Sequence, residues 1–246
     1  MYDFKDKIIA ITGAAQGLGA CMVKRFLQEG AKGVAMIDLK QDMLESKRAE
    51  LDPSGMRTLG VICDVADEDA VAVAFEQIFK QFGKVDILVN NAGITRDAMA
   101  HKMSASKFDQ VLKVSLNGAF YCTQQVMEGM RSRQWGRIIS MSSIAARGNI
   151  GQVNYAAAKA GIVGFTKTLA FELGSKNITV NCIAPGMINT EIIQTVPQDQ
   201  IEAYKKGVPL RRLGEPEEVA NLAVFLASDE AAYISGQCIK ITGGMQ

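Results

Sequence analysis

Tyr155 and Lys159 stand four residues apart in an alanine-rich segment, a spacing that places both side chains on one face of a helix. A free tyrosine loses its proton near pH ~10, but a neighbouring ammonium group favours the phenolate. Tyr155 beside Lys159 could therefore exchange a proton with a substrate at neutral pH. The same spacing also fits an ordinary surface lysine whose aliphatic chain packs along the helix. Other features of the sequence must therefore decide whether the pair is catalytic.

A pair of hydroxyl residues, Ser142 and Ser143, follows the apolar run 137–141 and precedes Tyr155. If that run is a strand that leads into the helix, a serine, the tyrosine and the lysine converge. Neighbouring residues of a strand face opposite sides, so only one of the two serines can point to the substrate if the strand stays regular to its end. The sequence thus predicts a proton-transfer site at this point of the chain.

A glycine-rich segment near the N-terminus indicates a nucleotide ligand. Three glycines follow the short apolar run 8–11 and precede the amphipathic segment 20–28. Glycines between a strand and a helix permit a tight turn and the close approach of a phosphate to a helix N-terminus. The residues expected to bind a dinucleotide here are Gly13, Gln16, Gly17, Leu18 and Gly19.

Asp38 ends the next apolar run, 33–37, and indicates which dinucleotide is bound. A carboxylate at the end of the second strand accepts hydrogen bonds from both hydroxyls of an adenosine ribose and repels a 2'-phosphate. Gln16 offers no positive charge to that phosphate, although Lys40 lies two residues beyond Asp38. NAD is therefore expected in preference to NADP, unless Asp38 only caps the helix that begins near Gln41.

The alternation of apolar runs with amphipathic segments predicts the fold. Strands are expected at 8–11, 33–37, 57–63, 85–89, 136–141, 178–184 and 237–242. Strands that alternate with helices form a parallel sheet, and ligands bind at the carboxyl ends of its strands. We expect an α/β, doubly wound Rossmann fold, in which residues 1–246 form a single domain with a seven-stranded parallel sheet and helices on both faces.

Three longer segments complete the prediction. One long helix is expected from about residue 107 to 131, and another from about 152 to 173 carries Tyr155 and Lys159. Residues 187–209 show weak periodicity and are predicted to form a mobile substrate lid. The positions expected to shape the substrate pocket are Ile94, Arg96, Ile144, Arg147 and Gln152.

Composition narrows the class of partner. The net charge is +1 and no basic run is present, which argues against nucleic acid or an anionic membrane and favours a small neutral substrate. No apolar run spans a bilayer and the N-terminus is too charged for a secretory signal, so a cytoplasmic protein is expected. His101 is the only histidine, and the five scattered cysteines predict reduced, buried thiols, so no metal site is expected.

Together these motifs resemble the short-chain dehydrogenase/reductase family in its single-domain form. The resemblance rests on the glycine segment 13–19, on Asn-Asn-Ala-Gly at 90–93, on the Ser and Tyr-x-x-x-Lys set and on Pro-Gly at 185–186. It covers essentially the whole chain. Segments 93–97, 151–155, 212–216 and 242–245 are similar to the branch of 3-oxoacyl-[acyl-carrier-protein] and acetoacetyl-CoA reductases.

The resemblance implies an oxidoreductase that transfers a hydride between NAD(H) and a secondary alcohol/ketone pair, such as a 3-oxoacyl thioester. Tyr155 would act as general acid, Lys159 would lower the Tyr155 pKa and bind the nicotinamide ribose, and a serine would stabilise developing charge. A homotetramer is also implied. Further cofactor contacts are expected at Asp64, Val65, Asn91, Ala92, Gly93, Pro185, Gly186, Ile188 and Thr190, besides Tyr155 and Lys159.

Two other functions stay open. One is an NADPH-dependent 3-oxoacyl-[acyl-carrier-protein] reductase of fatty acid synthesis. The other is a nucleotide-sensing scaffold without catalysis, for which the only support is Ser115. The family places an asparagine there to hold a water for proton relay, and Asn117 cannot replace it, because two residues along a helix turn a side chain by ~200°. The Ser115 hydroxyl could still hold that water.

The identity of the catalytic serine is the second departure from the family pattern. Counting along the strand from Gly136 points to Ser143, whereas the usual distance from Tyr155 points to Ser142. Loops absorb deletions more readily than strands change register, so Ser143 is favoured. The expected catalytic residues are therefore Ser143, Tyr155 and Lys159.

Overall fold

A computed structural model describes residues 2–191, 193 and 196–245 of the chain. Its strands are β1 (Ile8–Thr12), β2 (Gly33–Asp38), β3 (Thr58–Ile62), β4 (Ile87–Asn90), β5 (Gly136–Met141), β6 (Ile178–Pro185) and β7 (Cys238–Ile241). All pair in parallel, in the order β3-β2-β1-β4-β5-β6-β7. The predicted doubly wound α/β fold with seven parallel strands is confirmed.

The strand order reverses between β1 and β4, which are direct neighbours. Chains that leave these two strands turn to opposite sides of the sheet, so a crevice opens at their carboxyl ends. β1, β4, β5 and β6 are buried along their whole length, as expected of central parallel strands covered on both faces. The sheet therefore presents one fixed edge at which the predicted site residues can meet.

Helices cover both faces of the sheet. They are α1 (Gly17–Gln28), α2 (Gln41–Leu51), α3 (Glu68–Phe82), α4 (Ala105–Leu112), α5 (Gly118–Arg133), α6 (Val153–Leu173), α7 (Gln198–Gly207) and α8 (Pro216–Ala227). Phe26 of α1 and Val224 of α8 are fully buried on one face, and Phe75 of α3 and Val126 of α5 are buried on the other. Burial of each such side chain contributes ~1.5–3 kcal/mol, which holds the helices against the sheet.

The chain is helical throughout the range 107–131, as predicted, but it does not form one regular α-helix. A π-helical turn, Lys113–Asn117, separates α4 from α5. Leu116 of this turn packs against α6 at Gly161, where an added Cβ would lie 2.8 Å from the Leu116 side chain. A π turn inserts one residue without interrupting helical periodicity on either side, so a hydrophobic pattern does not reveal it. The turn matters because it contains Ser115.

The segment predicted as a lid, 187–209, contains the helix α7. Ile201 of α7 is buried, and the hydroxyl of Tyr204 accepts a hydrogen bond from the backbone N–H of Met187 at 2.8 Å. Weak periodicity hid this helix because it is short and largely exposed. Residues 192, 194 and 195 lie outside the described residues, and the role of the segment as a lid stays a prediction.

Candidate active site

The glycine segment forms a tight loop between β1 and α1. Gly13 and Gly17 have positive φ angles of 65° and 54°, which favour glycine. A Cβ on Gly19 would lie 2.0 Å from the carbonyl oxygen of Gly13, so only glycine fits there. The Gln16 side chain does not cap α1, and the N–H groups in the first turn of a helix have no partner within the helix, so they are suited to bind a phosphate.

Asn91 and Thr12 hold this loop in place. Nδ2 of Asn91 donates to the carbonyl oxygens of Thr12 and Gly13 at 2.9 and 3.0 Å. In return, the Thr12 hydroxyl accepts from the backbone N–H groups of Asn91 and Ala92, both at 3.0 Å. Sequence reasoning missed Thr12, because a threonine at the end of a strand carries no distinctive signal. The two residues fix the loop after β4 against the loop after β1.

Asp38 points to the glycine loop and does not cap α2. One carboxylate oxygen accepts from the backbone N–H of Ala15 at 3.0 Å, and the other from that of Lys40 at 3.2 Å. Lys40 occupies the cap position of α2, which has no side-chain cap. Asp38 is partly exposed, so its carboxylate has capacity left for ribose hydroxyls. The alternative that Asp38 only caps the helix is therefore wrong.

The other expected cofactor contacts lie around the same crevice. Asp64 is exposed after β3, and Val65 is buried against Gly118, where an added Cβ would lie 2.9 Å from Val65. After β6, the N–H of Gly186 donates to the carbonyl of Ile241 at 3.0 Å. Pro185 and Ile188 are buried, whereas Leu18, Gly186 and Thr190 are partly buried. Gly17 and Thr190 also line a cleft of ≈ 350 Å³. The glycine loop and the Asp38 carboxylate together fit a dinucleotide.

Tyr155 and Lys159 project from the first two turns of α6. Burial raises the pKa of Tyr155, a hydrogen bond from Ser143 lowers it, and Asp97 raises it again. Burial also lowers the pKa of Lys159 to about 8. The Lys159 ammonium donates to the carbonyl of Met141 at 2.7 Å and lies 5.5 Å from the centre of the Tyr155 ring. That Lys159 lowers the Tyr155 pKa stays a prediction.

The two serines have different surroundings. Ser142 is buried and its hydroxyl donates to the backbone carbonyl of Lys159 at 2.9 Å. Ser143 accepts from the N–H of Ala145 at 3.1 Å, and its hydroxyl lowers the pKa of Tyr155. The favoured serine, Ser143, is thus the one beside the tyrosine, while Ser142 supports the first turns of α6.

Asn154 is a site residue that sequence reasoning missed. It is fully buried, and its Nδ2 donates to the carbonyls of Arg96 at 2.9 Å and Lys107 at 3.2 Å. It therefore ties the loop after β4 to the residue next to Tyr155. An asparagine within a helix usually faces solvent, so only the fold shows this role.

Ser115 faces the same small space as Lys159. A Cβ on Gly93 would lie 3.3 Å from the Lys159 ammonium nitrogen and 3.4 Å from the Ser115 hydroxyl oxygen. The Ser115 hydroxyl is buried and has no hydrogen-bond partner among the described residues. A buried hydroxyl without a partner is unfavourable by ~1–3 kcal/mol, so this space suits a polar ligand atom or a water.

The residues expected to shape the pocket lie on two adjoining loops. Gln152 donates to the Asp97 carboxylate at 2.9 Å, and the N–H of Ala98 donates to the carbonyl of Gly151 at 2.9 Å. Arg96 is exposed and donates to the side-chain oxygen of Gln110 at 3.0 Å. Ile94 and Ile144 are partly buried, and Arg147 is exposed. Both arginines are thus open to solvent near the mouth of the site.

Neither a metal cluster nor a membrane-spanning helix occurs in the described part of the chain. No group of three or more His, Cys, Asp and Glu side chains among residues 2–191, 193 and 196–245 could hold a metal ion. None of the described helices is both long enough and apolar enough to cross a membrane.

Comparison with known proteins places this chain beside a group of reductases. A family model described as enoyl-(acyl carrier protein) reductase matches residues 13–246. The 3-oxoacyl-[acyl-carrier-protein] reductase FabG of Thermotoga maritima is 42% identical over 242 residues, 98% of both chains. FabG of Escherichia coli is 40% identical over 99% of this chain and 98% of its own. A crystal structure of 3-oxoacyl-[acyl-carrier protein] reductase from Brucella melitensis has a TM-score of 0.93 at 34% identity, covering 99% of this chain and 92% of that one.

Proposed function

The chain belongs to the short-chain dehydrogenase/reductase family, and we propose that it transfers a hydride between NAD(H) and a 3-oxoacyl thioester or a related ketone. The chain is an oxidoreductase that acts on a CH–OH or keto group. The observation that supports the reaction is the grouping of Ser143, Tyr155 and Lys159, with the Lys159 ammonium beside Gly93, in the loop whose Asn91 holds the glycine loop. The names of the relatives support a 3-oxoacyl thioester as the substrate class.

The cofactor would be held by the backbone N–H groups at the start of α1 and by the Asp38 carboxylate. A bound nicotinamide supplies or accepts the hydride. The preference for NAD is supported by Asp38, whose negative charge disfavours a 2'-phosphate, and by the uncharged Gln16. Lys40 is exposed and is the nearest charge in sequence that could oppose this preference.

Proton transfer would be carried out by Tyr155 and Lys159 on α6, assisted by Ser143 in the loop after β5. Burial keeps Tyr155 protonated at neutral pH, which suits donation of a proton to a carbonyl oxygen. The Ser143 hydroxyl would donate a second hydrogen bond to that oxygen as negative charge develops. In the oxidative direction, Tyr155 would take the proton from an alcohol. Lys159 and Ser115 would deliver the replacement proton through the space beside Gly93.

The competing function is an NADPH-dependent 3-oxoacyl-[acyl-carrier-protein] reductase, which the names of the relatives favour and Asp38 disfavours. We further infer that the chain acts in the cytoplasm as a homotetramer. The side chains of Phe120 on α5 and of Val153 and Phe171 on α6 are exposed although they are large and apolar, and this exposure supports assembly, because exposed apolar surface often marks a contact between subunits.

Loss of NADH absorbance tests the proposal directly. Purified protein is offered NADH with acetoacetyl-CoA, a longer 3-oxoacyl-CoA and a simple ketone of matched length. The expected result is turnover of all three, with the highest kcat/KM for a thioester. Turnover of the simple ketone alone would exclude the thioester substrate class. No NADH or NADPH oxidation with any ketone would favour the nucleotide-sensing scaffold.

A further inference from the structure

The segment 186–190 after β6 borders the proposed cofactor site, and a side chain from α7 holds its backbone. We propose that this side chain, Tyr204, is a positioning residue for the nicotinamide half of the cofactor and acts through the backbone N–H of Met187. The proposal rests on the proposed function, because it concerns how this chain holds the cofactor of that reaction.

The segment 186–190 lies on the side of the crevice that faces away from Asp38. Asp38 ends β2, and β1, β4, β5 and β6 follow in that order across the sheet. A dinucleotide with its adenosine ribose at Asp38 crosses the carboxyl ends of these strands, so its other half lies toward β5 and β6. The segment also returns to the glycine loop, since an added Cβ on Gly17 would lie 3.9 Å from Cγ2 of Thr190. The position of the segment therefore limits the space for the nicotinamide half.

Backbone atoms of two other segments hold most of this stretch. The N–H of Gly186 donates to the carbonyl of Ile241 in β7 at 3.0 Å. Gly214 donates its N–H to the carbonyl of Met187 at 3.1 Å and accepts from the N–H of Asn189 at 2.8 Å. The N–H of Met187 lies between these bonds in a partly buried position, where a backbone donor needs a partner.

The Tyr204 hydroxyl is the partner of that donor. It accepts the hydrogen bond from the N–H of Met187 at 2.8 Å. An added Cβ on Gly186 would lie 2.6 Å from the same hydroxyl oxygen, so the hydroxyl packs directly against the backbone of Gly186. One tyrosine oxygen thus contacts two consecutive residues of the segment.

Tyr204 is itself fixed by the ends of its helix. Ile201 and Val208, three residues before and four residues after Tyr204, are both buried. An added Cβ on Gly243 would lie 2.7 Å from Cγ1 of Val208, and the N–H of Leu210 donates to the carbonyl of Gly243 at 3.1 Å. The helix therefore presents the hydroxyl from a fixed position, as a positioning residue requires.

Loss of the hydroxyl should weaken binding of the nicotinamide half alone. A cavity of ≈ 100 Å³ lined by Tyr204 and Met187 lies beside their hydrogen bond, so packing alone does not hold the segment against α7. Without the bond, the cofactor must order the segment as it binds, and that ordering lowers its affinity. Adenosine contacts at Asp38 are made elsewhere and should not change.

Calorimetric titration of the full chain with NADH and with AMP tests the proposal. AMP carries only the adenosine half of the cofactor. In Tyr204→Phe we expect the NADH dissociation constant to rise ~5- to 10-fold, while that of AMP stays the same. Tyr233→Phe is the matched control, because the Tyr233 side chain is exposed, and it should bind both ligands as wild type does. An unchanged NADH dissociation constant in Tyr204→Phe, or equal weakening of NADH and AMP, would overturn the proposal.

A second variant tests the contact from the other side. Gly186→Ala should displace the Tyr204 hydroxyl and weaken NADH binding, but it should weaken it less in Tyr204→Phe, where that oxygen is absent. Fully additive effects would contradict the proposed contact.

Failure of the proposed function gives a different result. Wild type that binds neither NADH nor NADPH would contradict the proposed reaction and with it the role of Tyr204. If wild type binds NADPH more tightly than NADH, the same comparison is made with NADPH. Wild type that binds a cofactor as tightly as Tyr204→Phe does would leave the reaction intact and exclude only the role of Tyr204.

Discussion

The glycine loop after β1 and the loop before α6 lie at the same end of the sheet, but their backbones are constrained very differently. In the first, the Asn91 amide bonds two carbonyls and Gly19 leaves no space for one more carbon atom. In the second, Gly148 and Gly151 also have positive φ angles, yet an added Cβ on either would meet nothing within 4 Å. The proposed cofactor site is thus closely packed, whereas the loop proposed to contact the substrate has open space around its glycines.

The residues proposed to transfer protons belong with the constrained region. Lys159 is buried and held by the Met141 carbonyl, and Asn154 fixes the backbone next to Tyr155. In contrast, Ile150 in the loop before α6 is 87% exposed. Substitutions in the constrained region should affect every substrate, and those in the open loops should discriminate between substrates.

The largest effect is expected from Tyr155→Phe, which removes the proton donor and keeps the ring. General acid catalysis contributes ~10²–10⁴-fold, so kcat should fall by at least ~100-fold for every ketone. The NADH dissociation constant, measured by fluorescence titration, should stay the same. A kcat within about tenfold of wild type would show that another group donates the proton.

Gly19→Ala tests the close packing of the cofactor loop. The added carbon meets the Gly13 carbonyl, and overpacking destabilises proteins by ~1–3 kcal/mol. NADH affinity should fall along with the free energy of unfolding in urea. Gly164→Ala on α6 is the matched control, because its added Cβ meets nothing within 4 Å and should stabilise the helix by up to ~1 kcal/mol. Equal changes in NADH affinity and in the free energy of unfolding for the two variants would refute the contrast between constrained and open regions.

Lys159→Met tests how much a buried ammonium group destabilises the fold. The Lys159 pKa is lowered from 10.5 to about 8, so the folded chain carries an unfavourable charge at pH 7, on the order of 3 kcal/mol. As pH rises from about 8 to 10.5, the folded protein has already lost this proton and the unfolded chain retains it. Wild-type stability should therefore rise in that window.

Lys159→Met should be inactive and more stable than wild type at pH 7. Its stability should not rise between about pH 8 and 10.5 as that of wild type does. The measurement is the free energy of unfolding in urea at several pH values, with wild type and variant in the same buffers. The same pH slope in both proteins would show that Lys159 is not the titrating group.

The smallest effect is expected from Ser115→Ala. The variant would lose the hydrogen bond expected between the Ser115 hydroxyl and a water or ligand atom beside Gly93, which is worth ~1 kcal/mol, roughly fivefold in kcat, with no change in NADH affinity. Ser115→Thr keeps the hydroxyl and should retain most of the activity. If Ser115→Ala has the wild-type kcat in both water and deuterium oxide, the Ser115 hydroxyl takes no part in proton delivery.

Local sequence patterns predict much of the constrained region. Its buried strands are apolar runs, and the glycine spacing together with Asp38 indicates a dinucleotide from the sequence alone. Local patterns do not reveal the π turn around Ser115 or the inward amide of Asn154, because both depend on packing between α4, α5 and α6. The choice between Ser142 and Ser143 likewise depends on the end of β5, where the two hydroxyls diverge.

The preference for NADH over NADPH tests the central role of Asp38 most directly. The measurement is the ratio of kcat/KM for the two cofactors at a fixed concentration of 3-oxoacyl thioester, for wild type and for Asp38→Ala. The carboxylate should repel a 2'-phosphate, so wild type should favour NADH, and Asp38→Ala should lose most of this preference. A wild-type enzyme that favours NADPH would contradict the role assigned to Asp38.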